Sequence, residues 1–183
     1  MSDLVLESVH PSGGIKNGAL VRRVHPTSLS TLICFTTPHG LYHVHNRIEF
    51  DDADPRHWTH YLHHDRDRFV EREHEASDPG DVVPSFAEYL LVGELLDSGE
   101  QELAFTMLIE SGGSLRPAVL RHEGDEVGLY LDGELVNRHR VVGEDIIASD
   151  WGGLGSRRVD DVGELMEGLD EQVAIRVRMF LDE

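Results

Sequence analysis

Asp132-Gly133 lies between two segments with strand-like composition, Val127 to Leu131 and Glu134 to Val142. A two-residue Asp-Gly link suits the positive φ angles of a type I′ turn, whose twist matches that of paired strands. The spacing predicts a hairpin, and Ala118 to His122, joined through Glu123-Gly124-Asp125, extends it to a meander. The first fifty residues carry similar punctuation. Leu4 to Val9, Ala19 to His25, Leu29 to Thr37 and Leu41 to Phe50 read as strands. Pro11-Ser12-Gly13-Gly14, Pro26-Thr27-Ser28 and Pro38-His39-Gly40 separate them.

Helical signals fill the middle. Asp54 is a good N-cap and Pro55 fits a first helical position, so a helix is expected from Pro55 to about Ala76, with Trp58, Tyr61, Leu62 and Phe69 on one face. Asp78-Pro79-Gly80-Asp81 ends it. Ser85 and Glu88 have capping-box spacing and open a second helix, Phe86 to Leu96, apolar nearly all round. A third is expected from Glu100 to about Glu110, with a strand over Ala104 to Ile109 as the alternative. Ser111-Gly112-Gly113-Ser114 is the best candidate hinge in a single domain spanning residues 1–183. Residues 146–158 read as irregular and Val159 to Leu169 as helical. The tail from Gln172 to Leu181 fits either period, and its β-branched residues favour a strand. Runs of strands and runs of helices together predict an α+β fold: an antiparallel sheet from two β-meanders, with the central helices packed on one face.

The charge is −19, and of the sixteen basic residues only Lys16 is a lysine. This composition resembles that of cytosolic proteins of extreme halophiles, especially haloarchaea and their viruses, and it names no family. At molar salt the Debye length falls to about 3 Å, which screens the self-repulsion of so acidic a surface. The same charge opposes non-specific nucleic-acid binding, which depends on neutralising phosphates. One cysteine, Cys34, excludes an intrachain disulfide. The N-terminal residues lack a signal-peptide pattern, and no apolar run is long enough to span a bilayer. A cytoplasmic protein without membrane contact is expected.

Eight of the twelve histidines fall between Pro38 and Ser77. On the expected helix, His60 and His64 are four apart, the spacing by which two imidazoles share a metal. His43 and His45 point the same way from a strand. These four are the candidate ligands of a divalent metal, zinc or manganese, with Glu71 or Asp67 as the base that activates a metal-bound water. Tyr61 follows His60, so the zincin arrangement is not present. Protonating all twelve histidines would bring −19 to −7, which also allows a pH-sensing role.

Gly153, Gly155, Ser156, Arg157 and Arg158 precede an expected helix. Backbone N–H groups at such a helix start, reinforced by two arginines, would bind an anion. No nucleophile elbow is present. With no catalytic motif complete, the expected function is a non-enzymatic binding or assembly component, acting through a protein partner or self-association. The alternative is a metal-dependent hydrolase of phosphoesters or nucleic acid that uses segment 39–74.

Overall fold

A computed structural model of the chain describes residues 3–11, 14–66, 69–76, 82–110 and 112–183. Thirteen strands join in one sheet, and 58% of the described residues lie in strands against 18% in helices. This overturns the α+β expectation.

The first six strands are β1 (Asp3–Pro11), β2 (Gly18–His25), β3 (Ser28–Thr37), β4 (Gly40–Phe50), β5 (Trp58–Asp65) and β6 (Val70–Glu75). They run outward from β1 as an antiparallel meander. β7 (Val82–Pro84) follows, then a single 3-10 turn, Ser85–Ala87, and helix α1 (Glu88–Ser98). The remaining strands are β8 (Glu102–Ile109), β9 (Ser114–Glu123), β10 (Glu126–Leu131), β11 (Glu134–Val142), β12 (Asp145–Trp151) and β13 (Leu154–Arg158). They return as a second meander, and β13 pairs with β1 in the register Glu7 with Arg158 and Val9 with Ser156. Helices α2 (Val162–Met166) and α3 (Glu171–Asp182) end the chain. β7 and β8 are parallel, and α1 is the crossover that joins them.

The two faces of this sheet have different partners. Leu29, Ile48 and Tyr61 from the first meander share one core with Phe105, Leu120, Val127 and Leu129 from the second. Leu91, Val92 and Leu95 of α1 complete it. The sheet therefore curls around α1, and Trp58 Nε1 donates to the Val82 carbonyl oxygen at 2.9 Å, tying β5 to β7. On the outer face, Ala19, Val21, Leu32 and Cys34 are covered by Leu165 of α2 and by Val173, Val177 and Phe180 of α3.

The helix expected from Pro55 to Ala76 is the hairpin β5–β6. The buried positions of β5 are Trp58, Tyr61, His63 and Asp65, the last three opposite Ile48, Asn46 and Val44. Two of these four are polar and the register shifts beside Trp58, so the period of two is hidden and the chance helical spacing of the aromatics stands out. Asp54 caps no helix; its Oδ1 accepts from the Arg56 amide at 2.9 Å within a turn. The third expected helix is β8, the alternative reading. The tail takes the helical option: Val173, Val177 and Phe180 form one buried stripe, and Asp170 Oδ1 accepts from the Gln172 amide at 2.8 Å as N-cap. Gly113 closes the turn between β8 and β9, where a hinge was expected. Asp78–Asp81 and Ser111 lie outside the described residues.

Asp132 and Gly133 do link β10 to β11, with φ angles of 50° and 86° as a type I′ turn requires.

Candidate ligand-binding site

Curling leaves a cavity of about 420 Å³ between the inner face of the sheet and the start of α1. Leu20, Ile33 and Phe35 form one wall, Met107, Leu129 and Trp151 another, and Phe86 reaches in from the 3-10 turn. Each wall residue is the inward member of an alternating strand, so the apolar lining follows from the period of two.

Three polar groupings sit around this apolar space. Glu7 is 2% exposed and bonds both Arg22 and Ser156, while the Arg22 guanidinium lies 4.2 Å from the centre of the Tyr89 ring. Burial pushes the Tyr89 hydroxyl pKa up. In the second, His139 is fully buried; its Nδ1 lies 2.8 Å from Ser149 Oγ and its Nε2 2.7 Å from Glu88 Oε1. Asn137 stands beside the same Nε2 at 2.9 Å. In the third, Ser85 Oγ donates to Glu110 Oε2 and lies 3.5 Å from the Tyr61 hydroxyl. Asn46 Oδ1 lies 2.7 Å from His63 Nδ1, and burial holds the His63 ring below its ordinary pKa.

Ser149, His139 and Glu88 have the chemical order of nucleophile, base and acid. All three are buried, with His139 sealed from solvent, and the series ties α1 to β11 and β12, with Glu88 also on the cavity lining. Two buried polar atoms on the cavity lining have no hydrogen-bond partner: Arg22 Nε, a donor, and Asn137 Oδ1, an acceptor. Buried polar atoms are seldom left so, and a ligand group can satisfy both kinds.

The residues singled out from the sequence lie elsewhere. His43 and His45 are on the outer face of β4, near α3, and the His45 ring meets Phe180 edge-on at 5.2 Å. Burial, then the charges of Arg176 and Arg66, lowers the His43 pKa to about 4. His64 is opposite His45 across the ladder, and its Nε2 lies 2.8 Å from Glu71 Oε2. His60 Nε2 lies 2.7 Å from Glu73 Oε1. Four residues of strand span about 13 Å, against about 6 Å for one helical turn, so the metal-sharing geometry expected of His60 and His64 is lost. Among the described residues, no group of three or more His, Cys, Asp or Glu side chains is placed to hold a metal. Asp67 lies outside the described residues.

Gly153, Gly155, Ser156, Arg157 and Arg158 belong to the β12–β13 hairpin and not to a helix start. The Gly153 amide donates to Asp150 Oδ1 at 2.7 Å, Ser156 points inward to Glu7, and Arg158 pairs with Asp145 at 2.8 Å. Ser85 and Glu88 make no capping box: Ala87 is the N-cap, and both side chains serve the interior. That capping spacing hid Glu88 and Ser85 as cavity residues. Polar residues at inward positions, such as Glu7 between Leu6 and Ser8, were the available signal for the rest.

No protein-family model matches this chain, and no curated protein matches it. Among solved structures, it is similar to the crystal structure of a beta-barrel-like protein of domain of unknown function DUF1849 from Brucella abortus. The identity is 8%, the TM-score is 0.49, and the match covers 86% of this chain and 94% of that one. Among the described residues, no helix is long and apolar enough to cross a membrane.

Proposed function

We propose that the protein is a non-enzymatic binding protein that holds a small, largely apolar molecule with one hydrogen-bonding group inside its curled sheet. The observation that carries this reading is the cavity itself: apolar walls with an unpartnered donor on Arg22 and an unpartnered acceptor on Asn137. Small-molecule sites commonly combine apolar walls with a few placed polar groups in this way. Because Glu7 offsets the charge of Arg22, a neutral or weakly polar head group suits the site better than a strong anion. The acidity, the near absence of lysine and the lone buried Cys34 support a cytoplasmic setting at high salt.

The test uses N-phenyl-1-naphthylamine, a neutral apolar dye whose emission rises on leaving water. Saturable binding of about one dye per chain in molar KCl is expected, with loss in the cavity-filling variant Met107→Trp. Equal binding by a folded Met107→Trp variant, or no saturable binding by the parent chain, would refute the reading.

A further inference from the structure

The outer face of the sheet carries a second concave site, far from the interior chemistry in kind. A groove of about 500 Å³ runs over β11, β12, β13 and the end of β1. Its floor is made by small residues, Ala148 and Gly155. In one cross-strand row Arg140 and Arg157 flank Ala148; in the next, Arg138, Asp150, Gly155 and His10 follow one another. With strands about 4.8 Å apart, the Cα atoms of Arg140 and Arg157 are about 10 Å from each other across the alanine. Long side chains of that spacing can converge on one small group above the floor. A β-bulge beside Arg140, where the next pair skips Ile147, turns the strand at this point.

The groove's arginines differ in how they are paired. Arg22, Arg47, Arg56, Arg116, Arg121 and Arg158 each have a carboxylate partner. In the groove Arg138 is held by Glu126 at 3.3 Å, and Asp150 is engaged by the Gly153 amide. Arg140 and Arg157 form no ion pair with any described carboxylate, although acidic residues outnumber basic ones thirty-five to sixteen. Glu126 stands opposite Arg140 in the ladder and Asp150 lines the same groove, yet three guanidiniums against two carboxylates leave the concavity net positive, and an oxyanion between Arg140 and Arg157 relieves their mutual repulsion.

We propose that this groove binds a small phosphate-bearing anion, with Arg140 and Arg157 as its two principal contacts and His10 at its edge. Burial and the neighbouring Arg157 lower the His10 pKa, and its Nε2 lies 3.0 Å from Ser8 Oγ, so the ring sits in the groove as a positioned polar group. Guanidinium groups bind phosphate oxygens in pairs, which favours phosphate over the spherical chloride of a salty medium. The surrounding negative charge of the chain repels an extended polyanion, so a small ligand is specified and not a nucleic acid or an anionic membrane. The groove opens on the face opposite the apolar cavity, so this inference does not rest on the cavity's function.

The test is calorimetric titration of the full chain with inorganic phosphate, pyrophosphate and glycerol phosphate, in the lowest KCl that keeps it folded. Saturable binding of one anion per chain is expected, weakened at least about tenfold in Arg140→Gln and in Arg157→Gln. Arg47→Gln, which removes an exposed arginine of β4, is expected to bind as the parent does. Gly155→Leu gives an independent arm: a Cβ there would stand 3.5 Å from the His10 carbonyl oxygen, an ordinary contact, so the sheet tolerates it while the side chain fills the floor. Tighter binding of glycerol phosphate than of inorganic phosphate would assign an organic ester as the natural ligand class, and the reverse order the free ion. Absence of saturation with all three anions, or equal weakening in Arg47→Gln, would overturn the proposal.

Discussion

His139 Nε2 and Glu88 Oε1 lie 2.7 Å apart, joining β11 to the first turn of α1 inside the curled sheet. Both side chains are buried, and the contact fixes the angle at which the crossover helix enters the core. Removing one partner of such a pair strands the other away from water. Glu88→Ala is expected to lower unfolding stability by about 3 kcal/mol. Glu88→Gln, which keeps a hydrogen-bonding oxygen, should recover much of that. Urea unfolding in molar KCl measures both; equal midpoints for Glu88→Ala and the parent would show that the contact does not brace the helix.

The lowered His43 pKa sets a direction for acid sensitivity. The folded ring titrates at about 4 and the unfolded one at 6.5. Between those values the unfolded chain takes up a proton that the folded chain refuses, so stability falls as pH drops through this window and levels off below it. The slope from this one group is at most about 1.4 kcal/mol per pH unit. Burial lowers His45 and His63 in the same direction, while Asp52 raises His57 and opposes them. His43→Gln should flatten the profile of urea midpoints across the window, relative to the parent. An unchanged slope would place the acid sensitivity elsewhere.

Among the described glycines, Gly18 has the closest neighbours. A Cβ there would fall well inside contact distance of the Phe35 Cβ and the Cys34 carbonyl oxygen. Backbone on the neighbouring strand cannot rotate away as a side-chain tip can. Gly18→Ala is therefore expected to cost about 3 kcal/mol, although alanine is small and strands tolerate it elsewhere. Thermal unfolding of the variant checks this; a loss below about 1 kcal/mol would mean that β2 and β3 part easily.

Trp58 holds the curl. Its Nε1 donation to the Val82 carbonyl oxygen links strands that are not neighbours in the hydrogen-bonded ladder. Trp58→Phe keeps most of the buried ring and removes the donor, at an expected cost of about 1–2 kcal/mol. Hydrogen exchange should quicken in β7 and in β5 more than in β2 or β3. Uniform protection across all four strands would show that the curl is held by the core alone.

What the sequence determined by itself was local. The type I′ turn at Asp132-Gly133 needs only its two residues, and Leu41 to Phe50 alternates strongly enough to be a strand in any context. The extreme charge and the single cysteine likewise need no coordinates. Tertiary structure decided what local pattern left ambiguous. Residues 58–65 were strand because His63 and Asp65 found partners on the inner face, such as Asn46 for His63, and a polar inward residue cannot be read from hydropathy. The tail was helix because Val173, Val177 and Phe180 could cover Leu32 and Cys34 on the outer face, a burial that outweighs the strand preference of its valines. Curling of the sheet put Arg22 and Asn137 on one cavity, and the pairing of β13 with β12 and β1 brought Arg157 within reach of Arg140. Those pairs lie more than one hundred residues apart for Arg22 and Asn137, and on opposite sides of a third strand for the arginines. Spacing along a chain carries no record of which strands will neighbour one another, because that choice is made by burial summed over the whole sheet.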